Sequence, residues 1–168
     1  MGIPPLSQWF DAIDTDRNGH LTSEELQQAL ALGNLHFSLA AVAHMIRTHD
    51  MTGSGTITFP EFQRLHQFLS NMQSSFIFFD VDRNGQLTFD EVARALKHSG
   101  FNIERHAFDT MVKAFDPNRT ASLDLAAYIA LSLFLKSAAA TFAAFDPNKT
   151  GRITLDFNQF LYAAANVI

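Results

Sequence analysis

Apolar and polar positions divide the chain into long apolar-rich segments and five short polar loops that recur along almost its whole length. Each loop opens with an acidic residue, and the five loops begin at Asp14, Asp50, Asp80, Asp116 and Asp146. Successive loops start 36, 30, 36 and 30 residues apart. This regular spacing predicts a repeat protein in which neighbouring loops are related in pairs.

The apolar-rich segments between the loops predict helices, and helix-breaking residues show where those helices end. The two longer intervals contain such residues, Gly33 and Asn34 in the first and Gly100 in the second. Residues 62–79 and 128–145 each run for 18 residues without Gly or Pro, a length of about five helical turns. Each of these two segments is therefore expected to form one helix shared by two loops, which gives eight helices in all.

Two of the loops satisfy a complete calcium-binding pattern. Loop 1, residues 14–25, reads D-T-D-R-N-G-H-L-T-S-E-E, and loop 3, residues 80–91, reads D-V-D-R-N-G-Q-L-T-F-D-E. Both match the EF-hand pattern D-x-[DN]-x-[DN]-G-x5-E over their full length. Two matches in one chain of average composition are far beyond chance. The repeat is therefore interpreted as a series of EF-hands.

The residue types in loop 1 are those that calcium requires. Ca²⁺ is a hard cation that takes six to eight oxygen ligands, and the acid at position 12 supplies two of them. Thr22 at position 9 is expected to hold a bridging water, and Gly19 forms the sharp turn. The predicted ligands of loop 1 are Asp14, Asp16, Asn18, His20 through its main-chain carbonyl, and Glu25.

Loop 3 repeats the same ligand set at the same positions. Thr88 stands at position 9 and Gly85 at the turn. The predicted ligands of loop 3 are Asp80, Asp82, Asn84, Gln86 through its main-chain carbonyl, and Glu91. Loops 1 and 3 are therefore the two predicted tight calcium sites.

Loop 2, residues 50–61, keeps the frame of the pattern but loses part of the ligand set. Asp50, Gly55 and Glu61 are retained, whereas positions 3 and 5 are Thr52 and Ser54. Neutral hydroxyls are poorer ligands for a divalent ion than carboxylates. Loop 2 is expected to bind calcium weakly or to be empty.

Loops 4 and 5 lack the acid that closes the site. Loop 4, residues 116–127, has Ala121 in place of the turn glycine and Ala127 at position 12. Loop 5, residues 146–158, keeps Gly151 but carries Phe157 at position 12, followed by Asn158. Without a bidentate carboxylate, both loops are predicted to be empty.

An aliphatic residue stands at the eighth position of every loop, including the eroded ones. In EF-hands this residue lies in a short strand that pairs with the neighbouring loop, so its presence indicates that pairing and packing are still required. The predicted fold is all-α, with eight helices and short β-bridges that join loop 1 to loop 2 and loop 3 to loop 4. The eighth residues are Leu21, Ile57, Leu87, Leu123 and Ile153.

From Trp9 to Ile168 the chain resembles the penta-EF-hand family. The resemblance lies in the five loops, the two shared helices, the unpaired fifth loop and the apolar ending F-L-Y-A-A-A-N-V-I. The branch that it looks most like contains the apoptosis-linked gene-2 protein and peflin. On this basis residues 6–168 form a penta-EF-hand domain after a short tail, residues 1–5. Members of this family usually carry a longer Gly/Pro-rich N-terminal extension.

The resemblance also implies a function. Family members bind calcium tightly through hands 1 and 3, and the favoured interpretation is a calcium sensor and adaptor that exposes an apolar groove and recruits partner proteins with Pro-rich peptides. The fifth hand is expected to form a homodimer, or a heterodimer with a related chain, and reversible membrane association is implied. The alternatives are a calpain-like regulatory subunit of a heteromer and a passive calcium buffer.

Composition excludes several other classes. The chain has no Cys, so disulfides, cysteine-peptidase chemistry and thiolate metal sites are ruled out. A net charge of −5 disfavours binding to nucleic acid. The sequence contains no Ser-His-Asp signature, P-loop or dinucleotide fingerprint. We therefore expect a protein that is not an enzyme and, in the absence of a visible targeting signal, that resides in the cytoplasm.

Overall fold

The computed structural model describes residues 5–168, so residues 1–4 of the predicted tail lie outside the described residues. Eight helices are present in the described chain, as predicted. They are α1 (Leu6–Ile13), α2 (Ser23–Leu32), α3 (Leu39–His49), α4 (Phe59–Phe79), α5 (Phe89–His98), α6 (Arg105–Ala114), α7 (Leu125–Phe145) and α8 (Phe157–Ala165).

Four strands of two residues each pair the loops as expected. They are β1 (His20–Leu21), β2 (Ile57–Thr58), β3 (Leu87–Thr88) and β4 (Ser122–Leu123). β1 pairs with β2 and β3 with β4, both antiparallel. The eighth residues face each other across these pairs, Leu21 opposite Ile57 and Leu87 opposite Leu123, and all four are fully buried.

The helix that leaves each of the first four loops begins at position 10, and its start is fixed by a side-chain cap. In loops 1 and 3 the threonine at position 9 accepts a hydrogen bond from the main-chain N–H of the glutamate at position 12, while that glutamate accepts from the threonine N–H. Thr22 with Glu25, and Thr88 with Glu91, are therefore capping boxes. Position 12, which the calcium pattern requires, and position 9, which is expected to hold a bridging water, thus also define the start of the helix.

Loop 5 departs from this arrangement. Its exit helix α8 begins at Phe157, which is position 12 of the loop, and is capped by Asp156 and Gln159. The helix therefore starts two residues later than in the other hands. Asp156 accepts a hydrogen bond from the Gln159 N–H, so the acid nearest to the missing ligand position serves as a helix cap.

The two long helices connect two adjoining hydrophobic cores. The first core lies within hands 1 and 2 and contains Leu21, Ile57 and Leu65; the second lies within hands 3 and 4 and contains Leu87 and Val112. α4 and α7 pack against each other and contribute residues to both cores. The shared helices predicted from the glycine-free segments therefore hold the two pairs of hands together.

The C-terminal helix contributes little to either core. No residue of α8 is buried, although its Tyr162 ring contacts Phe145 of α7 edge to face at 6.3 Å between centroids.

α7 is long and apolar enough to cross a membrane by length and composition alone, with a mean hydropathy of 1.6 over its most apolar stretch. Its buried apolar residues, among them Ile129 and Leu131, lie in the two cores.

Candidate metal centre

Loop 1 brings three carboxylates together. Oxygen atoms of Asp14, Asp16 and Glu25 all lie within 4.8 Å of one another, and no other group of three potential metal-binding side chains this compact occurs in residues 5–168. Main-chain donors shape the loop around them, because Gly19 N–H donates to Asp14 at 2.8 Å and Asn18 N–H donates to Asp14 at 3.1 Å. This ring of oxygens has the composition that Ca²⁺ requires, so the residues fit the ion.

The carboxylate of Glu25 is held in place by two threonines. The N–H and hydroxyl of Thr15 donate to one oxygen at 2.9 and 2.8 Å. The N–H and hydroxyl of Thr22 donate to the other at 3.0 and 2.9 Å. Hydrogen bonds from the Thr22 main chain and from Thr15 outweigh burial and lower the pKa of Glu25 to about 2. These bonds hold Glu25 ionised and within reach of Asp14 and Asp16.

Loop 3 has nearly the same internal bonding as loop 1. Gly85 N–H donates to Asp80 at 2.9 Å, and the Thr88 N–H and hydroxyl donate to Glu91 at 2.8 and 2.9 Å. Position 2 differs, because Val81 has no hydroxyl to match that of Thr15. Glu91 therefore lacks the hydroxyl bond that draws Glu25 inward, and the acids of loop 3 do not form the compact group that loop 1 does.

The structure places the other predicted ligands at the same loop positions. The side chain of Asn18 accepts from the His20 N–H at 2.8 Å, and that of Asn84 accepts from the Gln86 N–H at 2.7 Å. The Asp82 side chain accepts from the Asn84 side-chain amide at 2.9 Å. Thr22 and Thr88 serve as helix caps, and their binding of a bridging water stays a prediction.

In loop 2 the two retained acids are occupied by donors of the loop itself. Asp50 accepts from the main-chain N–H groups of Gly53 and Gly55, both at 2.8 Å. Glu61 is buried and accepts from Met51 N–H at 2.8 Å and from the Thr58 hydroxyl at 2.7 Å. Positions 3 and 5 are hydroxyls, so the loop offers these two carboxylates, and weak or absent calcium binding by loop 2 stays a prediction.

Loops 4 and 5 share a third arrangement, in which a threonine hydroxyl lies among the remaining polar groups. The Thr120 hydroxyl lies 3.0 Å from Asp116 and 3.1 Å from the carbonyl oxygen of Ser122, which is position 7. In loop 5 the Thr150 hydroxyl lies 2.9 Å from Asp146 and contacts the position-7 carbonyl in the same way. The hydroxyl thus binds two groups that would face an ion in an intact loop.

Two features of this region were not evident in the sequence. Thr15, at a position where the pattern accepts any residue, orients Glu25. The phenylalanines that flank the loops also differ in burial: Phe76 is buried, whereas Phe78 and Phe142 have exposed fractions of 72% and 40%. Each of the two exposed rings belongs to the last turn of a long helix, and in α4 the neighbouring Phe76 and Phe79 of that turn pack in the second core.

Comparison with known proteins agrees with this geometry. A family model described as an EF-hand domain pair matches residues 6–67 and again residues 69–131. Peflin of Danio rerio is 29% identical over 163 residues, which cover 96% of this chain and 60% of peflin. Sorcin of Homo sapiens is 29% identical over 168 residues, covering 97% of this chain and 83% of sorcin.

A solved structure is also similar along nearly the whole chain. It is described as a homologue of programmed cell death 6 protein from Leishmania major Friedlin. It has a TM-score of 0.74 and 34% identity, and the match covers 98% of this chain and 95% of the other. None of these three relatives is named as an enzyme, in agreement with the prediction of a binding protein.

The chain spans about three fifths of the length of the peflins it matches. Programmed cell death 6 protein is the apoptosis-linked gene-2 protein of the predicted branch. The matched hands, the two shared helices and the similarity to this structure lead to one conclusion: the chain belongs to the penta-EF-hand family of calcium-binding proteins, in the group that resembles peflin and programmed cell death 6 protein.

Proposed function

We propose that this protein is a calcium sensor and adaptor, with tight calcium sites in loops 1 and 3 and no ion in loops 4 and 5. The observation that carries the proposal is the compact group of Asp14, Asp16 and Glu25 oxygens in loop 1. A bound ion would supply positive charge to these carboxylates and fix their relative positions. Loop 3 has the same ligands at the same positions, with the site less closed.

The location of these ligands on helices explains how binding would alter the surface. Asp14 directly follows α1, whereas Glu25 belongs to the first turn of α2. Coordination by both side chains therefore links the end of α1 to the start of α2. Sensor EF-hands open on binding and expose an apolar groove, whereas buffer EF-hands barely open.

Helix α1 packs on the first core through the buried Phe10 and the partly buried Leu6 and Ile13. Phe10 is its single buried residue and packs edge to face against Phe59 and Phe62 of α4, with centroids 5.5 and 5.6 Å apart. Trp9 on the same helix is 42% exposed, and its ring packs edge to face on His66 of α4 with the ring centroids 5.9 Å apart. A change in the angle of α1 would alter the surroundings of Trp9 and uncover part of the Phe10 pocket.

The experiment that tests the proposal is a calcium titration followed by Trp9 fluorescence and by binding of an apolar dye. A sensor gives a change in both signals that saturates with the two sites. Calcium binding with both signals flat would identify a buffer and contradict the adaptor function. Calcium sites that fail to appear at all would contradict the metal assignment.

The fifth hand supports a second part of the proposal, a dimer. The segment around Ile153 forms no strand with another segment of the described chain. An apolar cavity of about 380 Å³ lies between the end of α7 and the fifth hand, lined by Phe142, Ile153, Phe160 and Ile168 among others. Two copies that pair through this hand would cover both features.

The nature of the partner has one competing interpretation. The fifth hand could pair with a related chain, in which case the protein is a regulatory subunit of a heteromer. We propose the homodimer because a two-fold interface uses the same surface of both copies, so that one uncovered Ile153 segment can pair with the other. Binding of Pro-rich peptides and reversible membrane association complete the proposal and rest on the family resemblance, whereas the proposed cytoplasmic location rests on the lack of a visible targeting signal.

A further inference from the structure

An open cavity of about 610 Å³ lies between the start of α5, the end of α6 and loop 4. Two cationic side chains line it, Lys113 from α6 and Arg119 from loop 4. The cavity therefore combines two positive charges with an apolar wall. Its remaining lining residues, all within the described chain, are one acid and three apolar residues: Asp116, Phe89, Pro117 and Ala121.

Both cations of the cavity are exposed and free of partners within residues 5–168. The one ion pair in this part of the chain joins Arg105 to Asp109, so neither Lys113 nor Arg119 is neutralised by a carboxylate. Neither side chain donates a hydrogen bond there, because the arginine side chains that do so belong to other positions. Those positions are Arg47, Arg64, Arg94 and Arg105.

The acids of loop 4 are taken up by main-chain donors. Asp116 is buried and accepts from the N–H groups of Thr120 and Ala121 at 2.9 and 2.8 Å. Asp124 caps α7 by accepting from the Ala127 N–H at 2.8 Å. Loops 1 and 3 carry four Asp or Glu residues each, whereas loop 4 carries these two. The loss of ligands in loop 4 therefore leaves little negative charge to oppose its cations.

The pair of cations is particular to hand 4. Lys113 lies three residues before the loop, and Arg119 is position 4 of the loop. No other hand has Lys or Arg at both positions, so the cationic pair is not a general property of the repeat. The corresponding pairs in hands 1, 2, 3 and 5 are Asp11 and Arg17, Arg47 and Gly53, Ile77 and Arg83, and Ala143 and Lys149.

We propose that this cavity binds an acidic segment of a partner protein in which carboxylates flank an apolar side chain. The carboxylates would pair with Lys113 and Arg119, and the apolar side chain would cover Phe89 and Pro117. Charge complementarity selects this occupant, because an uncharged apolar ligand would leave both cations unpaired. The net charge of −5 opposes acidic partners over the protein as a whole, so their binding depends on these two side chains.

The test measures the fluorescence anisotropy of dye-labelled peptides with the full chain in calcium-free buffer with EGTA. The probe is Gly-Asp-Glu-Phe-Glu-Asp-Gly, and we expect one bound peptide per chain. Two comparison peptides, Gly-Asn-Gln-Phe-Gln-Asn-Gly without charge and Gly-Asp-Glu-Gly-Glu-Asp-Gly without the ring, should each bind roughly 5-fold more weakly or worse. No lining residue is a predicted ligand of loops 1 and 3, so a failure of the calcium-sensor function would leave this result unchanged.

The variants Lys113→Gln and Arg119→Gln should each weaken binding of the acidic probe roughly 2- to 5-fold, and the double variant about tenfold. Lys149→Gln is the matched control and should bind as the wild type does. Lys149 is position 4 of loop 5, follows the same D-P-N sequence as Arg119, and has a φ of 53° against 54°.

Three results would overturn the proposal. The acidic probe fails to bind, the uncharged peptide binds as tightly as the acidic probe, or Lys149→Gln weakens binding as much as Arg119→Gln does. Displacement of the bound probe by an equal concentration of inorganic pyrophosphate would also overturn it, because the cavity would then be a site for small anions instead of a peptide.

Discussion

His20 Nδ1 and the Thr56 hydroxyl lie 3.2 Å apart and join the two loops of the first pair. Both residues occupy position 7 of their loops, the position whose carbonyl is a predicted calcium ligand. The second pair has the same connection, because the Ser122 hydroxyl donates to the Gln86 side chain at 3.1 Å. In each pair, a loop with the complete ligand set (loop 1 or loop 3) is therefore hydrogen-bonded to a loop that has lost ligands (loop 2 or loop 4). The bond joins the side chains at position 7, next to the carbonyl that is the predicted calcium ligand.

The first prediction follows from this connection. Thr56→Val removes the hydroxyl but keeps the shape of the side chain, so the backbone at His20 loses one constraint. A single hydrogen bond contributes about 0.5–1.5 kcal/mol, and we expect the calcium affinity of loop 1 to fall by roughly 2- to 10-fold. Calorimetry measures the effect, with Thr56→Ser expected to retain wild-type affinity.

The matched variant in the other pair is Ser122→Ala, which should weaken loop 3 and leave loop 1 unchanged. Melting of the calcium-free protein separates a local effect from general destabilisation. If both variants weaken both sites equally, or neither site at all, the position-7 bonds do not position the ligands.

The second prediction concerns the metal assignment itself. Glu25→Gln and Glu91→Gln each replace the position-12 carboxylate by a neutral amide of the same size, so one tight site should disappear in each variant. The stoichiometry measured by calorimetry should fall from two sites to one. Glu61→Gln serves as the control, because loop 2 is expected to hold calcium weakly or not at all. Unchanged stoichiometry in Glu25→Gln would contradict the assignment of loop 1.

Much of this architecture was predictable because the EF-hand pattern combines ligand chemistry with local geometry. Residues 62–79 and 128–145 were expected to be shared helices, and α4 and α7 confirm this. The pairings of Leu21 with Ile57 and of Leu87 with Leu123 were expected from the eighth positions and are also present. These features depend on residues near in sequence or on a repeat that the sequence displays.

What the sequence did not reveal depends on distant contacts or on positions that the pattern leaves free. The bond from Thr15 to Glu25 spans ten residues at a variable position. The bond from His44 to Ser137 spans 93 residues, and no periodicity in either helix indicates it. The exposure of Phe78 depends on which face of α4 packs in the second core, which is a property of the packed structure.

The third prediction addresses the lost turn glycine in loop 4. Ala121 has a φ of 58°, a left-handed conformation that costs an L-residue about 1–2 kcal/mol. Glycine would relieve this strain while losing more entropy on folding. We expect Ala121→Gly to raise the free energy of unfolding by about 0.5–1 kcal/mol, measured by urea denaturation.

Ala107→Gly provides the comparison, because Ala107 is an exposed residue within α6. Glycine at an exposed helix position should lower the free energy of unfolding by about 1 kcal/mol. The two substitutions are chemically identical, so opposite signs would establish that conformation decides the outcome. A loss of stability in Ala121→Gly would show that the loop is not strained.

The fourth prediction concerns pH and the fifth loop. The Thr150 main-chain N–H donates to Asp146 and, with further bonds from Gly151 and the Thr150 hydroxyl, lowers the pKa of Asp146 below its ordinary value of 3.8. Because the folded-state pKa is lower than the unfolded one, this bonding stabilises the protein above the ordinary pKa. The contribution is lost as pH falls through the folded pKa.

Thr150→Val removes the hydroxyl bond and should bring the pKa of Asp146 closer to its ordinary value. Carbon-13 NMR of the carboxylate measures this pKa directly in the calcium-free protein. Thr110→Val is a suitable control, because the Thr110 hydroxyl bonds to a helix carbonyl instead of a carboxylate. An Asp146 pKa that is identical in Thr150→Val and wild type would contradict the proposed role of the hydroxyl.

The last prediction is that the chain dimerises through its fifth hand. Ile153 is half-buried and lies in an apolar cavity whose other wall, α8, contains no buried residue. Sedimentation equilibrium of the wild type should give about twice the chain mass of 18.7 kDa. A charge at the centre of a two-fold interface meets its own copy, so Ile153→Asp should shift the protein to monomer while loops 1 and 3 still bind calcium.

Ile77→Asp introduces the same charge at another exposed apolar position, on α4, and should remain dimeric. A monomeric wild type would favour the heteromer, because the fifth hand would then need a different chain to cover it.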